Sequence, residues 1–267
     1  MGRAVFVLAV AHVIACNNPQ KEPTAAPLAE TPTVTVASYN VLVDLAGNPE
    51  TLRTIDGLGA DVVFLQEVSD DWAAAIRDRL TDRFPFMEFL HRNGHGGLAI
   101  LSRYPLERAE RLAETVGAYP AFQVIVHSPI GRVQVLNVHL FPPYRWRREL
   151  GWMGAYLESQ QLHVREIEIF YRSLDPRLPT LVVGDFNEGS AGRAVQWLRA
   201  RGFASSVDES VPTWRWSGGA TTLRMQLDHV LHDPRLRVLE AQVPERGRSD
   251  HLPVIVTLAR AARSPAP

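Results

Sequence analysis

Residues 180–190 read TLVVGDFNEGS, an apolar run that stops at Gly184 and gives way to Asp185, Asn187 and Glu188. A short run rich in valine and leucine and bounded by glycine is the pattern of a strand buried on both faces. Its polar end has two readings. Asp185 or Asn187 can cap a helix over the residues that follow, or the carboxylate can stand at the mouth of a site built from strand ends. Working outward from this strand shows the same question at other positions.

On the N-terminal side, AFQVIVHS (121–128) and RVQVLNVHL (132–140) read as strands joined in a hairpin at Pro129-Ile130-Gly131, the second closing on His139. Residues 145–174 carry the longest helical pattern, with Leu157, Gln161, Val164 and Glu168 three or four apart. Earlier, VTVASYNV (34–41) and DVVFLQEV (61–68) are strand candidates separated by a helix over 48–58, which Asn48-Pro49 opens. A helix fits 70–80, with Trp72, Ile76 and Leu80 on one face, and GGLAILS (96–102) follows as a strand. After 190, a helix over 193–201 precedes the strands LDHVLH, RVLEAQV and PVIVTL. Strands mixed with helices, including a hairpin, predict a mixed-sheet α/β domain.

The chain has 267 residues, 46% of them hydrophobic, enough to bury one large core. A formal net charge of -1 gives no global attraction for polyanions, so any anionic substrate needs a local site. The N-terminus has one positive residue, Arg3, before an apolar stretch too short to span a bilayer, which fits the h-region of a secretion signal over 1–15. Val13-Ile14-Ala15-Cys16 resembles a bacterial lipobox, with Cys16 as the lipidated residue; a buried thiol in an uncleaved helix is the alternative. Cys16 is the only cysteine, which excludes an intramolecular disulfide and a thiolate zinc cluster. The Pro-, Thr- and Ala-rich stretch 16–32 reads as a disordered tether, the catalytic domain as 33–260, and 261–267 as a disordered tail. These features predict an exported lipoprotein anchored to a membrane through Cys16, and otherwise a secreted protein.

Six strands each deliver a polar group at an end or an entrance: Asn40, Glu67, His139, Asp185 with Asn187, Asp228, and Asp250-His251. Each has a structural alternative. Asn40 and Ser249-Asp250 can form turns, Glu67 can pair with an arginine or cap the next helix, His139 can be a satisfied core histidine, and Asp228 a strand-edge charge. Together they favour a site. Carboxylate and amide oxygens are hard ligands suited to Mg²⁺ or Mn²⁺, and two histidines with further carboxylates supply proton transfer and contacts to phosphate oxygens. Metal-assisted hydrolysis of a phosphate ester is the chemistry this set can perform.

In this order, SYNV, LQEV, GLAILSRYP, NVHL, GDFN, LDHV and SDHLPV resemble the endonuclease/exonuclease/phosphatase superfamily, which includes DNase I-like nucleases, inositol polyphosphate phosphatases and neutral sphingomyelinases. The resemblance implies a four-layer α/β/β/α sandwich, two mixed sheets packed face to face with helices outside, and an active site at one end. It implies Glu67 as the main ligand of Mg²⁺ or Mn²⁺, with Asn40 beside it and Asp250 in the outer shell. Asp185 becomes the general base toward water and Asn187 its partner; His139 and His251 bind phosphoryl oxygens, with Asp228 orienting His251. Abasic-site endonucleases of this kind have an acidic residue two positions after the first-motif asparagine, where this chain has Leu42. That departure points to a single metal ion and away from DNA repair.

Substrate choice falls to loops. HRNGHGG (91–97) suits close approach to phosphate but reads first as a plain loop. FPPYRWRRELGW (141–152) places Arg145, Arg147 and Arg148 among aromatics, which fits nucleic acid, a phosphorylated headgroup, a membrane interface or a solvated helix start. In VPTWRWSGG (211–219), Trp214 and Trp216 share a face if extended, as a packing pair or as a substrate contact through Trp214. His127, His163, His229 and His232 are read as structural. The expectation is a monomeric phosphoesterase on nucleic acid, a phospholipid headgroup or a sugar phosphate, most simply a diesterase. A monoesterase and a silent binding module are the alternatives.

Overall fold

The computed structural model describes residues 31–92, 94–142, 151–218 and 221–262. Cys16, the signal peptide, most of the tether and Arg145, Arg147 and Arg148 lie outside these residues, as does the tail from 263.

In chain order the first elements are β1 (Val34–Asn40), α1 (Pro49–Asp56), β2 (Val62–Gln66), α2 (Asp70–Leu80), β3 (Phe86–Leu90), β4 (Leu98–Ser102) and β5 (Leu106–Leu112). Next come β6 (Ala121–Ser128), β7 (Gly131–His139), α3 (Gly151–Tyr171), β8 (Thr180–Asp185), α4 (Arg193–Arg199) and β9 (Ala204–Ser205). The last are β10 (Trp214–Gly218), β11 (Thr221–Met225), β12 (Asp228–His232), β13 (Leu236–Gln242) and β14 (Val254–Arg260). They form two six-stranded sheets, ordered β13-β14-β1-β2-β4-β3 and β5-β6-β7-β8-β12-β9, and a separate β10-β11 hairpin. Each sheet has one parallel pair near its centre, β1-β2 and β7-β8; their other pairings are antiparallel. The mixed-sheet sandwich is the expected one.

Side-chain alternation builds the layers. Val34 and Val36, Val62 and Phe64, Val133 and Val135, Leu181 and Val183, and Val254 and Val256 point between the sheets into one core. The alternate residues pack outward: Ala37, Tyr39, Val63 and Leu65 against α1 and α2, and Leu136, Val138 and Val182 against α3 and α4. Continuing the inner period places Asn40, Gln66, Asn137, His139, Asp185 and Asp228 between the sheets at one end. They are buried there, so each needs a partner or a function.

Asn48 caps α1, accepting from the Glu50 and Thr51 amides at 3.0 Å each, as its position before Pro49 predicts. The opening ambiguity at 185–188 resolves differently. Neither Asp185 nor Asn187 caps α4; the buried Glu188 does, its Oε1 accepting from the Ala194 and Val195 amides at 2.7 and 3.0 Å. The helix predicted over 145–174 is described as Gly151–Tyr171, and its predicted face is corrected. Leu157 is 57% exposed, whereas Ala155, Ser159, His163, Glu166, Ile167 and Phe170 are buried. Hydrophobicity misleads here because the inward face carries His163 and Glu166, which find partners inside: His163 contacts Glu188 and the Phe141 carbonyl, and Glu166 accepts from the Phe141 amide. Five further strands, β3, β5, β9, β10 and β11, have no counterpart in the sequence pattern.

Candidate active site

Three non-glycine residues with left-handed backbone sit where inner-face strands end: Leu42 (φ 59°), Glu67 (φ 62°) and Asn187 (φ 51°). Such conformations cost free energy and persist only where surroundings over-determine them. Gly184 belongs to the same construction. Its φ is 132°, and a Cβ there would lie 1.9 Å from the Val138 carbonyl oxygen, so only glycine lets β8 pass β7 closely enough to bring Asp185 beside His139.

Asp185 is the hub. Its Oδ1 accepts from the Asn187 amide at 2.9 Å, and its Oδ2 accepts from Asn40 Nδ2 at 3.1 Å. The Nε2 atoms of His139 and His251 both stand 3.6 Å from that Oδ2, too far for direct hydrogen bonds and close enough to act on one small group held between them. Each imidazole is oriented from behind. His139 Nδ1 donates to the His95 carbonyl at 3.0 Å and the ring packs on Tyr119 at 4.7 Å, while His251 Nδ1 donates to Asp228 Oδ2 at 2.8 Å. Burial alone would lower the His251 pKa, but Asp228 and Asp185 outweigh it and push it up to about 10. Burial raises the Asp228 carboxyl above its ordinary value, opposed by His251.

Glu67 lies next to this hub. Its Oε1 accepts from Asn40 Nδ2 at 3.2 Å, so one amide bridges Glu67 and Asp185. Its Oε2 takes the Val43 amide at 3.1 Å and contacts His95 Nδ1 at 2.9 Å. Burial would raise the Glu67 pKa, but His139, the Val43 amide and His95 together hold it below the ordinary carboxylate value.

His95 is a site residue that the sequence pattern does not single out, since HRNGHGG reads first as a plain loop. The signal was its pair of glycines: a Cβ at Gly97 would lie 1.9 Å from the Val68 carbonyl oxygen, and one at Gly96 would collide with Arg92 and Tyr119. These glycines let the loop close onto the end of β2.

A pocket of about 260 Å³ opens here, with Glu67, His95, His139, Asp185, Asp250 and His251 on its polar side. Trp214, predicted as a substrate contact, lines it and donates from Nε1 to Asp250 Oδ2 at 2.9 Å. The structure thus brings together Asn40, Glu67, His139, Asp185, Asn187, Asp228, Asp250, His251 and Trp214. His229 points to the opposite face, as predicted, and contacts the Glu188 carbonyl at 2.9 Å.

The profile of the Endonuclease/Exonuclease/phosphatase family matches residues 37–251, spanning the strands that carry this constellation. The chain belongs to this family. Among solved structures, an endonuclease/exonuclease/phosphatase from Beutenbergia cavernae is similar at 21% identity, covering 86% of this chain and 72% of that one, with a TM-score of 0.69. TDP2 from D. rerio, solved with a single-strand DNA product, is 15% identical over 85% of this chain and 98% of that one, at a TM-score of 0.64. ANGEL2, a 2′,3′-cyclic phosphatase solved with adenosine-2′,3′-vanadate, is 16% identical over 86% and 96%, also at 0.64. No curated protein gave a significant match. These identities establish the fold, and the family places the chain among phosphoester hydrolases.

Endonuclease/exonuclease/phosphatase proteins depend on a divalent metal. Among the described residues, the buried Asp185, Asp228 and His251 form a cluster whose ligand atoms all lie within 4.8 Å of one another. In that cluster His251 Nδ1 is already engaged with Asp228 Oδ2 at 2.8 Å. Glu67 presents a hard carboxylate oxygen beside Asp185, and Asp250 adds a third carboxylate to the pocket lining, while Asn40 turns its amide nitrogen to Glu67 and Asp185 and its Oδ1 accepts from the Leu42 amide at 3.0 Å. None of the pocket's described lining residues is Lys or Arg. Three carboxylates facing one small cavity without such a cation make a donor set that fits Mg²⁺ or Mn²⁺.

Proposed function

We propose that the protein is a Mg²⁺-dependent phosphodiesterase, Mn²⁺ being the other ion its donors suit, which hydrolyses phosphate esters by in-line attack of water. The observation that carries this reading is Asp185 Oδ2, placed 3.6 Å from both His139 Nε2 and His251 Nε2. Asp185 takes the proton of the attacking water, with Asn187 holding the turn behind it. His139, as an imidazolium whose Nδ1–H is held by the His95 carbonyl, donates from Nε2 to a non-bridging oxygen as charge develops, and His251, its Nδ1–H held by Asp228, passes its Nε2 proton to the leaving oxygen. Glu67, with Asn40 and Asp250 beside it, would hold a divalent cation, which would supply neutralisation of the phosphoryl charge.

A diester is favoured over a monoester because the pocket, beside its acids and histidines, is lined by apolar side chains against which a second ester arm can lie. Residues 1–32 support export and anchoring through Cys16, which would place the reaction outside the cytoplasm. Acting as a monomer is part of the same reading.

The test is a generic aryl phosphodiester beside the matching monoester, with Mg²⁺ and with EDTA. Metal-dependent cleavage of the diester is expected. Preferential cleavage of the monoester moves the assignment to a phosphomonoesterase, and cleavage that survives EDTA removes the metal from the reading.

A further inference from the structure

Part of the pocket is not used by phosphate chemistry. Its lining also includes Leu42, Pro142, Tyr156, Trp214, Met225 and Leu227. Trp214 and Met225 are directly opposed across the β10-β11 hairpin, and the next pair on the same face is Trp216 opposite Leu223. Trp216 is 47% exposed and Leu223 44%. Four apolar side chains therefore make one continuous track, from the Trp214–Asp250 hydrogen bond out to solvent.

The track is specific to one face of the hairpin. The intervening pair, Arg215 opposite Arg224, points the other way, and both arginines form ion pairs with Glu245. The track is also ordered at its outer end: a Cβ at Gly218 would lie 2.1 Å from the Trp216 ring, which lies along the strand. Scattered exposed apolar residues need no explanation, but a contiguous apolar strip leading out of a binding pocket does. None of its four members belongs to the three buried clusters that hold the sandwich together.

We infer that this track is the subsite for an alkyl or aryl group of the substrate, so that the ester is an amphiphilic phosphodiester with one apolar arm lying along Trp214, Met225, Trp216 and Leu223. This rests on the phosphodiesterase reading above. The same chemistry is offered by a lipid in a bilayer and by a free amphiphile.

The test separates binding from turnover. Monoalkyl methylphosphonates carry the single charge and tetrahedral phosphorus of a diester and resist hydrolysis. Their affinity for the full-length protein with Mg²⁺, measured by calorimetry from ethyl to octyl, is expected to tighten by up to about fourfold per methylene. The Trp216→Ser/Leu223→Ser variant is expected to lose most of this dependence at an unchanged melting temperature, while Trp216→Phe keeps it. A flat series in the wild type, or a full slope in the double variant, overturns the inference. Cleavage of the matching p-nitrophenyl alkyl diesters distinguishes the two readings: binding with a slope but no cleavage sinks the diesterase, and cleavage with a flat series sinks the track. Co-sedimentation with phosphatidylcholine vesicles that the double variant loses identifies a bilayer lipid as the source, and a slope without co-sedimentation identifies a free amphiphile.

Discussion

Asp185 shows how strictly a single residue is placed. It is buried, anchored by the Asn187 amide and Asn40, and faced by two imidazoles. Asp185→Ala is expected to lower turnover by about 10²–10⁴-fold with the protein still folded, because the base and its hold on the water are lost together. Near-wild-type turnover, with circular dichroism confirming the fold, refutes the assignment. His95 acts one step back. Its Nδ1 on Glu67 Oε2, beside the Val43 amide, leaves Oε1 toward Asn40 and the pocket. His95→Ala is expected to weaken Mn²⁺ binding by about 10–100-fold, the usual cost of losing a group that orients a ligand; an unchanged calorimetric Kd makes His95 a bystander. These two residues mark the limit of legibility. Asp185 announces itself because a carboxylate ending an apolar strand is anomalous, and the same anomaly exposed Asn40, Glu67, His139, Asp228 and His251. His95 sits in a polar loop where histidine is unremarkable, and only its closure over Gly96 and Gly97 brings it to Glu67.

At the scale of elements, legibility followed burial. The central strands β1, β2, β6, β7, β8 and β14 are almost wholly buried and read directly as apolar runs. β3 and β5 are sheet edges, largely exposed: β3 alternates in burial but has the apolar Phe86 on its outward side, which hides the alternation in the sequence, and β5 carries a bulge between Glu107 and Glu110 that breaks its period. α3 was legible as a helix but not in orientation, because its inward face includes Glu166. Burial pushes the Glu166 carboxyl up to about 7, with His163 and the Phe141 amide opposing. A carboxyl whose folded pKa lies above its ordinary 4.5 adds stability that is complete in acid and disappears as pH rises through about 7. Glu166→Gln keeps the shape and removes the titration. Between pH 5 and pH 8 the wild-type melting temperature is expected to fall more than that of the variant, by about 2–4 °C for each kcal/mol involved. Parallel falls in thermal melts at both pH values show that Glu166 is ionised in the folded protein.

Over the whole molecule, the site belongs to neither sheet alone. Asn40 comes from β1 and Glu67 follows β2 in one sheet; His139, Asp185 and Asp228 come from β7, β8 and β12 in the other; His251 precedes β14 and returns to the first. What holds them within hydrogen-bonding reach is the apolar core between the sheets, to which Phe64 of β2 and Val183 of β8 both belong. Phe64 is fully buried at the centre of this layer, so Phe64→Ala is expected to cost about 3–5 kcal/mol through lost transfer energy and the cavity left behind. Its effect on the site should appear through global unfolding. The two sheets share one core, and Asn40 bridges Glu67 to Asp185 across it, so neither sheet can keep half of the site while the other melts. On heating wild type or Phe64→Ala, activity, metal binding and far-ultraviolet circular dichroism are therefore expected to disappear in a single coincident transition, at lower temperature in the variant. A loss of metal binding well before the loss of secondary structure would mean that the sheets separate as independent units and that the inter-sheet core does not set the geometry of the site.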